Sequence, residues 1–178
     1  MVFQFLMILI CCFTASKLGK VYHFSVGISG LYRMMNKIRI NIEAVNNGHT
    51  IQFNPDSRNI KLIDNVSGKM ETFSLLQFHL HNGSEHTINA IQQDVEAHFV
   101  HANAAYLAGE KGGRLAVVGV FLNGQEDNSD DQNGYWNDLL KGLPDQTYAS
   151  LNKPITPNYE ALLPSDSRLF TYEGSLTT

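Results

Sequence analysis

The sequence predicts a single domain built mainly from β-strands. Its length of 178 residues suits one domain, and a content of 43% hydrophobic and 17% charged residues is typical of a globular chain with a core. Most apolar segments alternate with polar residues at a period of two, as strands do, and few have helical spacing. The formal net charge of -4 argues against a nucleic-acid partner or an anionic membrane surface.

The first sixteen residues favour a separate interpretation. An uncharged apolar run, MVFQFLMILICCF, is followed by small residues at Thr14 and Ser16 before Lys17. A run of this length is short for a membrane span but suits the hydrophobic region of a secretory signal. We therefore predict that residues 1–16 are a signal peptide cleaved after Ser16, and that the mature protein is secreted without a membrane span. The alternative is a buried strand or helix.

The sequence argues against three common kinds of site: a disulfide, a thiolate-bound metal and a calcium-binding EF-hand loop. Cys11 and Cys12 both lie in the apolar run, so the cleaved chain would have no cysteine for a disulfide or a thiolate-bound metal. The acidic tract of residues 123–134 reads as a solvated loop. It fails as a calcium-binding EF-hand loop starting at Asp127, because Gln132 stands at the sixth position, where glycine is required.

The first strands are predicted from alternation and from the turn residues between them. Residues 37–45 alternate, and the NNG sequence of residues 46–48 is a turn signal. Alternation resumes in residues 49–54 and again in residues 58–64, before a second turn in residues 65–68.

The longest alternating run, residues 72–81, is predicted to be a strand with two different faces, because successive side chains point to opposite sides of a strand. One face is mostly apolar and should pack on the core: Ser74, Leu76, Phe78 and Leu80. The other face should line a cleft: Phe73, Leu75, Gln77, His79 and His81.

The rest of the chain continues the same pattern. Residues 95–101 and 114–122 are predicted strands, the second of them buried because it is rich in valine and leucine. Residues 104–113 suit a short helix or turn, residues 133–144 have helical spacing, and residues 167–178 suit a strand and a loop.

Three histidines in these strands have the spacing of a metal site. His79 and His81 are two residues apart, so a strand projects both imidazoles to one side, about 6–7 Å apart along the backbone. His98 follows after enough chain for a turn and an antiparallel neighbour, which would place it beside the pair. Three neutral imidazoles leave a fourth position open on Zn²⁺, which is typical of catalytic zinc.

Two further residues stand where partners of such ligands are expected. Gln77 precedes His79 by two residues, and Glu96 precedes His98 by two, so each shares a face with its histidine. Side chains of this kind accept the second N–H of a ligating imidazole and hold its orientation. His86 and His101 are predicted to form structural hydrogen bonds instead of binding this metal.

The histidine-rich stretch of residues 78–101 closely resembles α-class carbonic anhydrases. So do the motifs NNGHT (residues 46–50), LAVVGVF (115–121) and YEGSLTT (172–178), and the resemblance covers about residues 40–178. It implies a large, twisted, mostly antiparallel central sheet with short peripheral helices and a zinc ion in a cone-shaped cleft.

By this resemblance, five residues around the metal are assigned. His79, His81 and His98 match the family's zinc ligands. Gln77 and Glu96 match the partners of those ligands.

The resemblance also implies the catalytic residues. Glu85 matches the glutamate that holds the hydroxyl of a gatekeeping threonine, and Thr177 matches that threonine, which aims the zinc-bound hydroxide at carbon dioxide. Thr178 matches its neighbour in the substrate pocket, and His49 matches the proton shuttle. Three residues match the apolar wall that holds carbon dioxide: Val100, Val117 and Leu176.

The resemblance is incomplete at both ends. Family members usually continue beyond the threonine pair with further strands, and residues 17–39 do not match the family's N-terminal pattern. The implied domain, residues 17–178, thus has an atypical start and lacks its C-terminal part. We therefore expect the chain as written to bind zinc in part, to turn over slowly and to aggregate, because missing strands leave backbone groups unpaired.

Three functions fit these observations. The first is reversible hydration of carbon dioxide to bicarbonate and a proton by zinc-bound hydroxide, with sulfonamides and anions as inhibitors. The alternative is a zinc-binding or structural protein of the same fold with little turnover, and an unrelated zinc hydrolase is a third. Of two N-glycosylation sequons, at Asn65 and Asn82, Asn65 is the expected acceptor because it lies in a predicted turn.

Overall fold

The computed structural model describes part of the chain: residues 2–14, 24–25, 43–54, 59–64, 68–125, 143, 146–150 and 169–171. In these residues, strands dominate and the helical content is one short turn of helix. No helix among them is long and apolar enough to cross a membrane. The predicted sheet-dominated fold is confirmed.

The secondary-structure elements are numbered in chain order. The strands are β1 (Val2–Thr14), β2 (Phe24–Ser25), β3 (Glu43–Asn46), β4 (Ile51–Asn54), β5 (Asn59–Asp64), β6 (Met70–Asn82), β7 (Thr87–Ile88), β8 (Ile91–Gln92), β9 (Val95–Asn103), β10 (Arg114–Gln125) and β11 (Leu169–Thr171). The helix α1 (Ala104–Leu107) follows β9 directly.

One large sheet contains nine of these strands. Its main order is β11-β1-β10-β9-β6-β4-β3. Strand β5 pairs with the first half of β6, on the edge that β4 uses further along, and β2 pairs with β5. All pairings are antiparallel except that of β1 with β11, which agrees with the mostly antiparallel sheet expected. Strands β7 and β8 form a separate hairpin.

Residues 2–14 form a strand of the sheet, which is the second of the two interpretations of the apolar run. Strand β1 lies between β10 and β11. Pairing with β10 along most of its length and with β11 at residues 8–10 satisfies backbone N–H and C=O groups of β1 within the sheet. Removal of residues 1–16 on secretion stays a prediction, which the N-terminal sequence of the mature protein would check.

A β-bulge in β6 corrects the predicted faces of that strand. The register with β9 shifts between Leu75 and Gln77, so that one extra residue lies in β6. An extra residue reverses the alternation of side chains beyond it. Phe73 and Leu75 are therefore buried on the same face as Phe78, and the expectation that they share the histidine face is wrong.

The core side of the sheet is centred on three stacked phenylalanines. Phe78 of β6 lies between Phe53 of β4 and Phe99 of β9, with ring centroids 4.4 and 5.3 Å away. All three rings are buried. Because these residues are cross-strand partners, the stack fixes the relative position of β4, β6 and β9 and so of the opposite, histidine-bearing face.

His101 belongs to the core side, as its spacing from His98 predicts. It is 5% exposed, and its Nδ1 lies 2.9 Å from the carbonyl oxygen of Phe99 and 3.3 Å from that of Ala116. Burial lowers the pKa of His101 from 6.5 to about 4, because the charged form would lose its hydration, while the two backbone carbonyls act in the opposite direction.

Acid should therefore destabilise the fold through His101. Between pH 6.5 and about 4 the unfolded chain takes up a proton on this residue and the folded chain does not, so stability falls as the pH falls. A shift of this size corresponds to roughly 3 kcal/mol. We expect the free energy of unfolding of zinc-free His101→Gln to depend less steeply on pH in this window, as measured by urea denaturation. Parallel curves for the two proteins would contradict this assignment.

Candidate metal centre

The three predicted ligand residues meet on one face of the sheet, where β6 and β9 are paired. His79 of β6 lies directly opposite His98 of β9, and His81 follows two residues later on the same face of β6. The sequence expectation of an antiparallel neighbour is therefore correct. The local reason is the two-residue period of a strand, which places His79 and His81 on one side without any special geometry.

The spacing of the three rings suits a single metal ion. One nitrogen from each of His79, His81 and His98 lies within 4.8 Å of the other two. The ring centroids are 4.6 to 5.3 Å apart. A tetrahedral zinc ion with bonds of about 2.0–2.1 Å to nitrogen requires separations of about 3.3 Å, so small side-chain rotations complete the site.

Gln77 determines which nitrogen of His79 faces the metal position. Its Oε1 lies 2.8 Å from Nδ1 of His79. An amide oxygen only accepts hydrogen bonds, so this contact assigns the proton to Nδ1 and leaves the lone pair of Nε2 for a metal. Sequence spacing predicted this contact.

Glu96 orients the ring of His98 as Gln77 orients that of His79, but it contacts Nε2 instead of Nδ1. Oε1 of Glu96 lies 2.9 Å from Nε2 of His98, although the two groups are not aligned for a directed hydrogen bond. This contact leaves Nδ1 of His98 as the metal-binding nitrogen. Glu96 is fully buried, which alone would raise its pKa, but contacts from His98 and His86 lower the pKa of Glu96 to about 2.

A second carboxylate, that of Glu85, lies close to two of the candidate ligands. Oε2 of Glu85 lies 3.6 Å from Nε2 of His81 and 3.7 Å from Nδ1 of His98. These two nitrogens are therefore directed to the same region. Glu85 lies at the edge of the metal position, where a residue that orients a metal-bound group would be expected.

The protonation of the site also suits a cation. Burial, reinforced by the nearby His98 and His81, lowers the pKa of His79 to about 4. The pKa of His81 is lowered too, first by burial and then by His98. Both imidazoles are thus neutral at neutral pH, which is the form that binds metals. Within the described part of the chain, Nε2 of His81 is buried without a hydrogen-bond partner, and a metal ion would satisfy it.

His86 contacts this site more closely than the sequence suggested. Its Nδ1 lies 2.6 Å from Oε1 of Glu96, and its backbone N–H donates to Oε2 of the same carboxylate at 3.0 Å. The role is structural, as predicted, but the partner is the carboxylate behind His98. The sequence signal that His86 lies near the site was its position directly after Glu85 in the SEH sequence. Only the fold shows that it contacts Glu96.

Of the remaining predicted site residues, three are described by the structure and four are not. Val100 and Val117 are cross-strand partners, and Val100 lies opposite Gln77, so both are half-buried on the histidine face. His49 is exposed in the turn that precedes β4. The others lie outside the described residues: Asn65, Leu176, Thr177 and Thr178.

The contact from Gln77 leads to a prediction about metal affinity. Gln77→Leu should weaken zinc binding by about 10- to 100-fold, because Nδ1 of His79 loses the acceptor that orients its ring. Gln77→Glu keeps an acceptor at the same place and should stay close to the parent affinity. Competition with a colorimetric zinc chelator measures both values, and equal affinities for Gln77→Leu and the parent would show that His79 is oriented by other contacts.

The fold and the site together define a sheet protein with three histidines on one face, placed where they could hold a metal ion. The family model for eukaryotic-type carbonic anhydrase matches residues 29–178, and the chain belongs to this family.

Known relatives agree with this family assignment. The chain is 36% identical over 136 residues to a carbonic anhydrase of Pectobacterium atrosepticum, covering 76% of this chain and 49% of the relative. It is 33% identical over 142 residues to one of Nostoc, covering 77% and 46%. A solved structure of the Thermovibrio ammonificans α-carbonic anhydrase with sulfanilamide is 28% identical, with a TM-score of 0.49 over 73% of this chain and 50% of that one. The chain thus spans about half the length of the curated relatives it matches.

Proposed function

We propose that this protein catalyses the zinc-dependent, reversible hydration of carbon dioxide to bicarbonate and a proton. The observation that carries the proposal is the convergence of His79, His81 and His98 within 4.8 Å in a chain of the carbonic anhydrase family. The three candidate ligands found among the described residues are all imidazoles, a set that suits a catalytic ion with one open position better than a structural ion with four protein ligands.

Zinc fits the donor set of this site. His79 would bind it through Nε2 and His98 through Nδ1, as the contacts with Gln77 and Glu96 leave these nitrogens available. His81 would bind it through Nε2, which is buried without a hydrogen-bond partner among the described residues. A zinc ion there supplies a Lewis acid that lowers the pKa of bound water and so provides a nucleophile at neutral pH, a behaviour for which carbonic anhydrase is the standard example.

The protein's own residues supply orientation and an apolar surface. Gln77 and Glu96 hold the ligand rings, and His86 supports Glu96 from behind. Val100 and Val117 present a half-buried apolar surface on the same face. Carbon dioxide has no charge to bind, so an apolar surface near the metal suits it.

Two further roles in the proposal follow from the family resemblance. Glu85 would accept a hydrogen bond from the hydroxyl of Thr177, so that this hydroxyl keeps a single orientation toward the reacting oxygen. Leu176 and Thr178 would complete the substrate pocket. The structure supports this proposal at Glu85, whose carboxylate lies beside the ligand nitrogens of His81 and His98.

The reaction and its metal are tested together on the zinc-loaded protein. We expect about one zinc ion per chain and hydration of carbon dioxide, measured by stopped-flow with a pH indicator. A sulfonamide should inhibit the reaction, because its deprotonated nitrogen can occupy the open zinc position. Stoichiometric zinc without hydration would instead support the alternative of a zinc-binding protein with little turnover, and the absence of zinc would overturn both.

The proton shuttle is tested at His49. An exposed imidazole can pass protons between the site and buffer. His49→Ala should lower kcat in weakly buffered solution, leave kcat/KM for carbon dioxide nearly unchanged, and be rescued by added imidazole. A rate that stays the same in weak buffer would show that proton release uses another group.

A further inference from the structure

The backbone on both sides of His49 is held in place by short polar contacts. Oδ1 of Asn47 accepts hydrogen bonds from the backbone N–H groups of His49 and Thr50, at 3.0 and 2.9 Å. Oγ1 of Thr50 donates to the carbonyl oxygen of Leu80, 2.6 Å away, and Leu80 lies between His79 and His81 in β6. The turn is thus tied to the strand that carries two of the candidate ligands, whereas the side chain of His49 is exposed.

A second segment, residues 146–150, is paired with this turn from outside. The backbone N–H of Tyr148 donates to the carbonyl of Asn46 at 2.6 Å, and that of Asn46 donates to the carbonyl of Ala149 at 3.1 Å. Ser150 forms an isolated β-bridge with Val45. Two segments that are far apart in sequence therefore form one unit beside His49.

Tyr148 adopts a backbone conformation that is costly for its residue type. Its φ is 64°, in the left-handed region that bulky residues rarely occupy. It stands third in a four-residue turn closed by a hydrogen bond from Ala149 N to Gln146 O, where a turn with positive φ calls for glycine. Among the described residues, the other non-glycine residues with positive φ are Asn89 and Ala90, which form the turn between β7 and β8, where that conformation is required.

Core packing does not explain a tyrosine at this position, because Tyr148 is 81% exposed. Its nearest neighbour in the turn is Gly48, the residue before His49. A Cβ placed on Gly48 would lie 3.8 Å from Oη of Tyr148 and 3.1 Å from Cγ2 of Thr147. The phenol therefore lies beside Gly48, with room for about one methyl group between them. A strained, exposed residue is an indication of function when its surroundings hold it in place.

We propose that Tyr148 is a positioning residue of the proton shuttle. Its ring lies beside Gly48 and, together with the backbone pairing of Tyr148 with Asn46, limits the movement of the turn of residues 46–50 relative to β6. This fixes the distance between the shuttle imidazole and the metal position. The inference rests on the proposed function, because it assigns a role in the proton-transfer step of that reaction.

The effects of the ring of Tyr148 and of its strained backbone conformation can be separated by substitution. Tyr148→Gly removes the ring and takes up φ 64° without strain, so its melting temperature should equal or exceed that of the parent. Its kcat in weak buffer should nevertheless fall at least about threefold, because proton transfer is sensitive to misplacement of the donor. The value of kcat/KM should stay unchanged, and imidazole should restore kcat. Tyr148→Phe keeps the ring and should behave like the parent.

Controls with His49→Ala distinguish the possible results. In the His49→Ala background, Tyr148→Gly should cause no further loss, because both changes act on one step. If His49→Ala lowers kcat and Tyr148→Gly does not, the inference about Tyr148 is wrong and the proposed shuttle stands. If His49→Ala has no effect, the shuttle assignment fails and the inference falls with it. A loss in Tyr148→Phe would also overturn the positioning role, because the hydroxyl would then take part directly.

A measurement without turnover tests the same contact. In the zinc-loaded protein, nuclear Overhauser contacts are expected between the ring protons of Tyr148 and the α-protons of Gly48. Tyr148→Gly should broaden the backbone resonances of His49 as the turn becomes mobile. Absent ring contacts, or unchanged His49 resonances in the variant, would exclude the packing on which the inference depends.

Discussion

His98→Ala is expected to lose zinc at the three-histidine site to below detection at micromolar protein concentration. The substitution removes one of three ligands and leaves Glu96 buried with a single imidazole partner, His86. A buried carboxylate that loses a partner also costs stability, so the apo protein should unfold at lower denaturant concentration than the apo parent. Inductively coupled plasma analysis of dialysed protein measures the zinc content.

The matched control for this experiment is His49→Ala. It is the same chemical change at an exposed histidine outside the ligand set, and it should retain a full complement of zinc. Parent-like zinc content in His98→Ala would exclude the site, whereas zinc loss in His49→Ala would place the shuttle candidate among the ligands.

Phe78→Ala is expected to destabilise the fold by about 3–5 kcal/mol, a large share of the total stability of a domain this size. Phe78 is 1% exposed and stacks between Phe53 and Phe99, so alanine would leave a cavity at the centre of the core. Because the opposite face of β6 carries His79, zinc affinity should fall together with stability. Urea denaturation of the zinc-free protein measures the free energy of unfolding.

Two control variants separate packing from loss of apolar surface. Phe78→Leu keeps most of the volume and should cost less than about 1.5 kcal/mol if the neighbours repack. Ile91→Ala removes apolar surface at a residue that is 64% exposed, and its effect should stay within about 0.5 kcal/mol. Equal losses for Phe78→Ala and Ile91→Ala would show that β6 does not pack on a core at this point.

The centre of the site could be predicted from the sequence because its geometry is local. Residues two apart on a strand always share a face, so the pairs Gln77–His79 and Glu96–His98 needed no knowledge of the rest of the fold. The pairing of β6 with β9 followed from the short connection between them, since nearby strands usually pair antiparallel. The roles proposed for Thr177 and His49 came from family resemblance alone.

The features that could not be predicted are those that depend on partners distant in the sequence. No alternation pattern marks the bulge between Leu75 and Gln77, because an extra residue is favoured by packing against β9. The contact of His86 with Glu96 depends on how the chain returns from β8 to β9, and the pairing of Tyr148 with Asn46 joins segments about a hundred residues apart.

The sequence by itself thus determined the class of fold, the histidine face and the chemistry of its ligands, because these depend on a two-residue period and on side-chain type. Only the tertiary structure decided which nitrogens His79 and His98 offer, that residues 2–14 pair within the sheet, and that Tyr148 pairs with Asn46 in the turn next to His49. Those features arise where segments meet across the sheet. The free energy of such a contact depends on the surroundings of both partners, and the local sequence of either partner does not contain that information.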